Sequence, residues 1–441
     1  MPKRWTTPPA TPLPPQAAQW ADALSISPFL AQLLWQRGLD SAEAMDLFLN
    51  PGLSRLPQPT ELPGLDQAAG HLAASLGSNA RIAVWGDYDV DGVTSSALLL
   101  DFFQQREIEA QAYLPHRSEE GYGLNIPGIE LLAKQGVGLL LTVDCGVSDI
   151  EPIARARELG MDVIVTDHHL PGDQAPDVCA MVNPKLGPCN VPGLTDLAGV
   201  GVAFYLAAAL NRRLPGEPLD MREFLDLVAL GSLADVVPLT NVNRILVKNG
   251  LLKISEAKRP GIAALKEVAG FTAGADLNST QVVFGLGPRI NAAGRLDDAR
   301  SALDLLLSPD MVTARPYAEN LNQMNKARRK IEDEIHSEAL EQAQNILTDD
   351  SRAGLVLYAP HWRSGVVGIV ASRVVEAMYR PTLILCDDNG SIKGSGRSIP
   401  ECNIHQAITQ CADLCAHFGG HHQAAGLTLA DPDHLAPLMD R

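Results

Sequence analysis

Arg81-Ile-Ala-Val-Trp-Gly-Asp87-Tyr-Asp89-Val-Asp91-Gly92 decides the fold. An apolar run without alternation, closed by a glycine and three carboxylates at alternate positions, reads as a strand covered on both faces that stops at an acidic rim. A helical stretch follows over residues 95–103. The same alternation then recurs, with strands expected at 108–114, 139–143, 162–166 and 180–183. Helices are expected at 128–135, 150–159, 197–211 and 221–231. Apolar strands separated by helices predict a parallel sheet in an α/β fold, and such sheets gather ligands at the carboxyl ends of their strands.

The length of 441 residues suggests two or three domains. Residues 1–16 hold six prolines and read as a tail, and 27–48 as short helices with Ser41 at a helix start. Together 1–75 form a proline-rich and helical entry. Residues 76–310 form the larger α/β domain, 311–348 a long connecting helix with apolar residues at spacings of three and four, and 349–441 a smaller α/β domain. In the last, 354–359, 382–386 and 425–429 read as strands and 366–378 as a helix.

Composition limits the partners. No apolar run approaches the roughly 20 residues of a membrane span, the longest being 201–210. Seven cysteines without framework spacing and the lack of an apolar leader predict a reduced, cytoplasmic protein. The net charge of −17 argues at first against a nucleic-acid partner.

The acids revise that view. Asp87-Tyr-Asp-Val-Asp-Gly92 matches the first half of a calcium-binding helix–loop–helix, but its twelfth position is Leu98 and a strand precedes it. Asp144 ends the strand Leu141-Thr-Val-Asp144, and Asp167-His-His169 ends the next. Each alone suits a helix cap; neighbouring parallel strands deliver all of them to one rim. Asp235 interrupts the apolar run Gly231-Ser-Leu-Ala-Asp235 and needs a partner or a cation. Asp87, Asp89, Asp91, Asp144, His168, His169 and Asp235 would then meet at one point, where the five carboxylates would repel one another severely without bound cations. Oxygen ligands with an imidazole suit manganese or magnesium, the nitrogen favouring manganese, and two such ions clamp a phosphate ester.

These four motifs, in this order, resemble those of the DHH phosphoesterase superfamily. The helical entry, Gly287-Pro-Arg-Ile-Asn-Ala-Ala-Gly-Arg295 and Gly419-Gly-His-His-Gln-Ala-Ala-Gly426 fit its bacterial single-strand exonuclease subgroup. The resemblance implies a catalytic DHH domain joined by the long helix to a DHH-associated, substrate-binding domain. It implies a 5′→3′ exonuclease on single-stranded DNA in repair and recombination, working by two-metal activation of water. Asp87, Asp89, Asp91, Asp144, His168 and Asp235 would be metal ligands, Asp144 the bridge. Asp144, His168 and His169 would be catalytic, His169 facing the phosphate. The expected cofactor is two Mn2+ ions, or Mg2+. The expected partners are single-stranded DNA, a single-strand-binding protein and a helicase, and the expected state is a monomer. Subgroup members usually continue into an OB-fold domain, and nothing in this sequence corresponds to it, so a core-only or truncated form is expected. The rival readings are a phosphoesterase on short oligonucleotides or nucleotide phosphates, and a non-catalytic DNA-binding relative.

Substrate contacts are expected in three further places. Gly419, Gly420, His421 and His422 read as an anion-binding glycine turn, or as a turn with a buried histidine. Arg289, Asn291 and Arg295 are flanked by Gly287, Pro288 and Gly294, a context read as a turn that exposes guanidinium groups to phosphates. Ser372, Arg373 and Arg397 are similar candidates. Any one arginine suits a surface ion pair; the group suits a DNA backbone. Lys326-Ala-Arg-Arg-Lys330 is followed at helical spacing by Glu332, Asp333 and Glu334 and reads as a self-paired face. Cys402, His405, Cys411 and Cys415 read as packed thiols more readily than as a zinc site. With cations in the acidic site and arginines at its edge, the negative balance becomes compatible with DNA held in one groove.

Overall fold

The computed structural model describes residues 14–78, 80–117, 119–189, 191–347, 353–388 and 390–441. The chain forms two compact units. One is built from residues up to Leu114 with Gly123–Gly287, the other from Pro115–Tyr122 with Pro288–Arg441.

The first unit centres on strands β1 (Arg81–Gly86), β2 (Ala110–Tyr113), β3 (Val137–Val143), β4 (Asp162–Thr166) and β5 (Ala180–Val182), in the order β2-β1-β3-β4-β5. All neighbours are parallel. The order reverses between β1 and β3, so loops leaving these strands part in opposite directions and open a crevice, the place where such sheets bind ligands. The register is level there: Gly86 pairs with Val143, and Val143 with Thr166. The next residues, Asp87, Asp144 and Asp167, therefore emerge side by side.

Burial explains the apolar runs. Ala83, Trp85, Leu140, Val163 and Val165 face one core with Ile129 and Ile153 from helices Ile126–Lys134 and Ile150–Glu158. The opposite face is closed by helices Val90–Gln105, Gly199–Asn211 and Leu225–Ala234. The long apolar stretch 201–210 is thus a helix buried nearly all round. No described helix is long and apolar enough to cross a membrane.

The tail is shorter than the prolines suggest. Residues 1–13 lie outside the described residues, but Pro15 starts a helix, Pro15–Ala23, at the position where a missing N–H matters least. Ser41 caps Ala42–Leu49 as expected, accepting from the Ala44 amide.

The second unit holds strands β6 (Leu355–Tyr358), β7 (Thr382–Asp388), β8 (Ser391–Arg397), β9 (Cys415–His421) and β10 (Ala424–Leu429), in the order β6-β7-β8-β10-β9. Only β6 and β7 are parallel, joined by helix Ser364–Met378. One face packs on that helix and on the 36-residue helix Met311–Ile346, through Ile335, Ala339, Val367, Val370 and Ile384. The long helix starts five residues before Pro316, where Asp310 caps it by accepting from the Thr313 amide.

Candidate metal centre and phosphate contacts

Asp87 and Asp89 leave β1, Asp144 leaves β3, His168 and His169 leave β4, and Asp235 caps the end of helix Leu225–Ala234. Three clusters result, each with its ligand atoms within 4.8 Å of one another: Asp87, Asp89 and Asp144; Asp91, His168 and Asp235; and Asp144, His168 and His169. Asp144 belongs to two of them. His168 Nε2 is 3.1 Å from Asp144 Oδ1, 3.6 Å from Asp235 Oδ2 and 3.8 Å from Asp91 Oδ2.

The backbone aims each group. Asp89 is the N-cap of Val90–Gln105, its Oδ1 accepting from the Asp91 and Gly92 amides, so it is a helix cap and a cluster member at once. Asp91, in the first turn, accepts from Gly199 N at 2.6 Å and Val200 N at 2.9 Å, the amides that open a second helix. Gly199 also permits close approach: a Cβ there would lie 2.7 Å from Asp144 Cβ and 2.8 Å from its Oδ1. Asp144 itself has φ +61°, a strained backbone that turns the chain at the rim.

Asp167 has a role that its place in the motif does not reveal. Its Oδ1 accepts from the His168 and His169 amides and faces His169 Nδ1 at 2.8 Å, and its Oδ2 accepts from Val147 N. It thereby orients both histidines from behind. Asn183 adds to this by donating to the His169 carbonyl.

Electrostatics test whether cations suit this set. Burial, then the neighbouring charges of Asp91, Asp89 and Asp87, push the Asp144 carboxyl well above its ordinary range. Burial, then Asp235 and Asp89, do the same to Asp91 against the pull of the Gly199 and Val200 amides. Burial and Asp89 raise Asp235 to about 6. Burial, then the charge of His169, lowers His168 to about 3, so its imidazole is neutral. The Leu197 carbonyl holds the ring, while Nε2 is buried without a hydrogen-bond donor or acceptor of its own. A neutral imidazole nitrogen aimed into clustered carboxylates is a cation-binding donor set, and the residues fit manganese or magnesium.

The expected phosphate contacts all fall in the second unit, and several differ from expectation. Arg289, Asn291 and Arg295 lie on helix Gly287–Leu296, not in a turn. Arg289 Nε donates to Asn322 Oδ1 at 3.0 Å, and Arg295 to the Gly365 carbonyl at 3.0 Å. Ser372 Oγ donates to the Gly368 carbonyl, and Arg373 pairs with Asp333 at 2.8 Å. Arg397 ends β8 and donates to Ser395 Oγ and the Gly396 carbonyl. Burial, then the charge of Arg117, lowers its pKa, so Arg117 stands close by, a neighbour with no signal in the sequence pattern. Gly419, Gly420 and His421 are not a turn: they belong to edge strand β9, and only His422 and Gln423 turn the chain into β10. Gly420 has φ +144°, and a Cβ would come within 2.4 Å of the Ala424 carbonyl. His421 and His422 are exposed, so the buried-histidine alternative fails as well. The fragment 326–330 is not wholly solvated either, because Arg328 is buried with Glu332.

Sequence and structure relatives complete the picture. Residues 81–232 match the DHH family, N-terminal domain, and residues 352–441 the DHHA1 domain. The single-stranded-DNA-specific exonuclease RecJ of Bacillus subtilis is 40% identical over 414 residues, covering 93% of this chain and 51% of its own. That of Dickeya dadantii is 42% identical, covering 92% and 73%. The crystal structure of RecJ from Thermus thermophilus with Mn2+ superposes with a TM-score of 0.82 at 35% identity, over 97% of this chain and 60% of that one. The same protein with Mg2+ gives 0.75 at 35% identity, over 97% and 58%. The chain thus spans about half to three quarters of these relatives. The level strand ends, the acid–histidine clusters and the two matched domains define a member of the DHH family. Within that class, the chain belongs to the RecJ family of single-stranded-DNA-specific exonucleases.

Proposed function

We propose that this chain is a metal-dependent exonuclease that hydrolyses phosphodiester bonds of single-stranded DNA from the 5′ end, in DNA repair and recombination. The observation that carries the reading is the position of Asp144, shared between the Asp87–Asp89 and His168–His169 clusters. In this reading Asp87, Asp89 and Asp144 would hold one cation and Asp91, His168 and Asp235 the other, with Asp144, which also clusters with His168, as the ligand expected to serve both. Bound there, two cations supply Lewis acidity to a phosphoryl oxygen and lower the pKa of water.

The chain's own groups do the rest. The Gly199 and Val200 amides fix Asp91, Asp167 fixes the His169 ring, and the left-handed turn at Asp144 aims its carboxylate inward. His169, which burial would lower but the Asp167 hydrogen bond and charge hold above its ordinary value, keeps a proton at its ring to offer a phosphate or leaving oxygen. Arg289, Asn291, Arg295, Ser372, Arg397 and the β9–β10 hairpin are the proposed strand contacts, while Arg373 is held by Asp333. A reduced cytoplasmic setting, a monomeric state, and a single-strand-binding protein and a helicase as partners belong to the same reading.

Digestion of end-labelled single strands, with and without a 5′ phosphate, tests it. Stepwise shortening from the 5′ end in Mn2+ is expected. Equal turnover of duplex and single strands, or a preference for dinucleotides over long strands, would overturn it.

A further inference from the structure

Residues 326–330 place four cations one helical turn ahead of Glu332, Asp333 and Glu334, a spacing at which each arginine and Lys330 can pair within its own helix. The pairing is incomplete. Arg328 takes Glu332 at 2.7 Å, and Lys330 approaches Glu334 at 3.8 Å. Asp333, the acid one turn from Arg329, instead gives its Oδ1 to Arg373 of helix Ser364–Met378 at 2.8 Å. Arg329 is exposed, and among the described residues no ion pair holds it.

Its neighbours are also cationic. Arg289 is half-buried, with Nε anchored on Asn322, and after burial the charge of Arg329 is the next influence lowering it. Arg329 weighs on Arg328 in the same direction. Asn322 and Arg329 are seven residues apart on Met311–Ile346, two turns along one face. Arg329 thus shares a helix face with the residue that anchors Arg289, and two cations on one face favour an anion that meets both.

We infer that Arg329 and Arg289, with Asn322, seat a phosphodiester group of the single strand, and that Arg373 serves this seat indirectly by holding Asp333 away from Arg329. The inference rests on the single-strand reading above. It makes Arg373 a positioning residue and not a DNA contact.

Anisotropy of a fluorescein-labelled oligothymidylate, titrated with full-length protein in chelator across a range of salt, tests it. Arg329→Ala should weaken binding roughly fivefold to tenfold at low salt and reduce the salt slope by about 0.7, one single-strand phosphate contact. Arg373→Ala should weaken binding several-fold, because Asp333 then pairs with Arg329. Adding Asp333→Ala to Arg373→Ala should restore wild-type affinity and slope. An Arg329→Ala protein with unchanged affinity and slope overturns the inference. So does a double variant as weak as Arg373→Ala alone, since Arg373 would then touch DNA itself. Absence of binding by the wild-type chain instead overturns the single-strand reading on which the seat depends.

Discussion

His168 Nε2 stands 3.1 Å from Asp144 Oδ1, although one residue leaves β4 and the other leaves β3. The pair joins the two ligand clusters, so each residue should matter to both cations. In thermal-shift titrations, Mn2+ at about a hundred times its dissociation constant should stabilise the wild-type chain by about 2.7 kcal/mol. His168→Ala should need at least roughly tenfold more Mn2+ for the same gain. An unchanged titration would remove His168 from the site.

Gly199→Ala tests the close approach behind Asp144. The added methyl would lie 2.7–2.9 Å from the Asp144 side chain, so that carboxylate must shift. Overpacking of this kind costs about 1–3 kcal/mol. The Mn2+ midpoint should rise even where circular dichroism reports an intact fold. A variant with wild-type stability and Mn2+ midpoint would contradict the geometry.

Asp167 should act through the histidines. Asp167→Ala should lower kcat on single-stranded DNA by about 10–100-fold while leaving the secondary structure unchanged. Full activity would show that His169 needs no support from behind.

Arg259 carries a largely buried ion cluster away from the site. It donates to Asp226 at 2.8 Å and to Asp101 at 2.7 Å, and after burial those two charges hold it firmly protonated. Arg259→Ala leaves buried carboxylates uncompensated and should destabilise the chain by about 3–5 kcal/mol in urea unfolding. A loss below about 1 kcal/mol would mean that water reaches the cluster.

His336 gives a pH dependence with a definite sign. Burial, then the charge of Arg373, lowers its pKa, against the pull of Asp333. A histidine that is harder to protonate in the folded chain contributes stability above its unfolded pKa, and that contribution is lost as pH falls through the folded value. Its Nε2 is buried without a hydrogen-bond partner. His336→Gln should therefore flatten part of the stability loss on the acid side of about pH 6.5. An acid limb identical to wild type would contradict the assignment.

The catalytic sheet is legible because strands buried on both faces have little freedom in composition. β1 and β4 begin and end where the apolar pattern does, and the acids at their ends follow from register. Strands β8 and β9 are not legible. Gly394 and Gly396 leave room for Leu385 and Ile404, so packing supplied by neighbours replaces the apolar side chains that would have marked β8. Helix Gly287–Leu296 is hidden for a related reason. Its glycines and proline read as a turn, yet burial of Ile290, Ala292 and Ala293 holds it helical after a π-helical turn at Val282–Leu286. The pairing of Asp333 with Arg373, forty residues away, could not be seen from local spacing, which offered Arg329 instead.

The most direct measurement is digestion of a 3′-labelled, 5′-phosphorylated single strand by the wild-type chain and by Asp144→Ala, each with Mn2+ and with chelator. The account predicts progressive shortening by the wild type in Mn2+, none in chelator, and none by a folded Asp144→Ala protein under either condition. Wild-type rates from Asp144→Ala, or cleavage that persists in chelator, would contradict it.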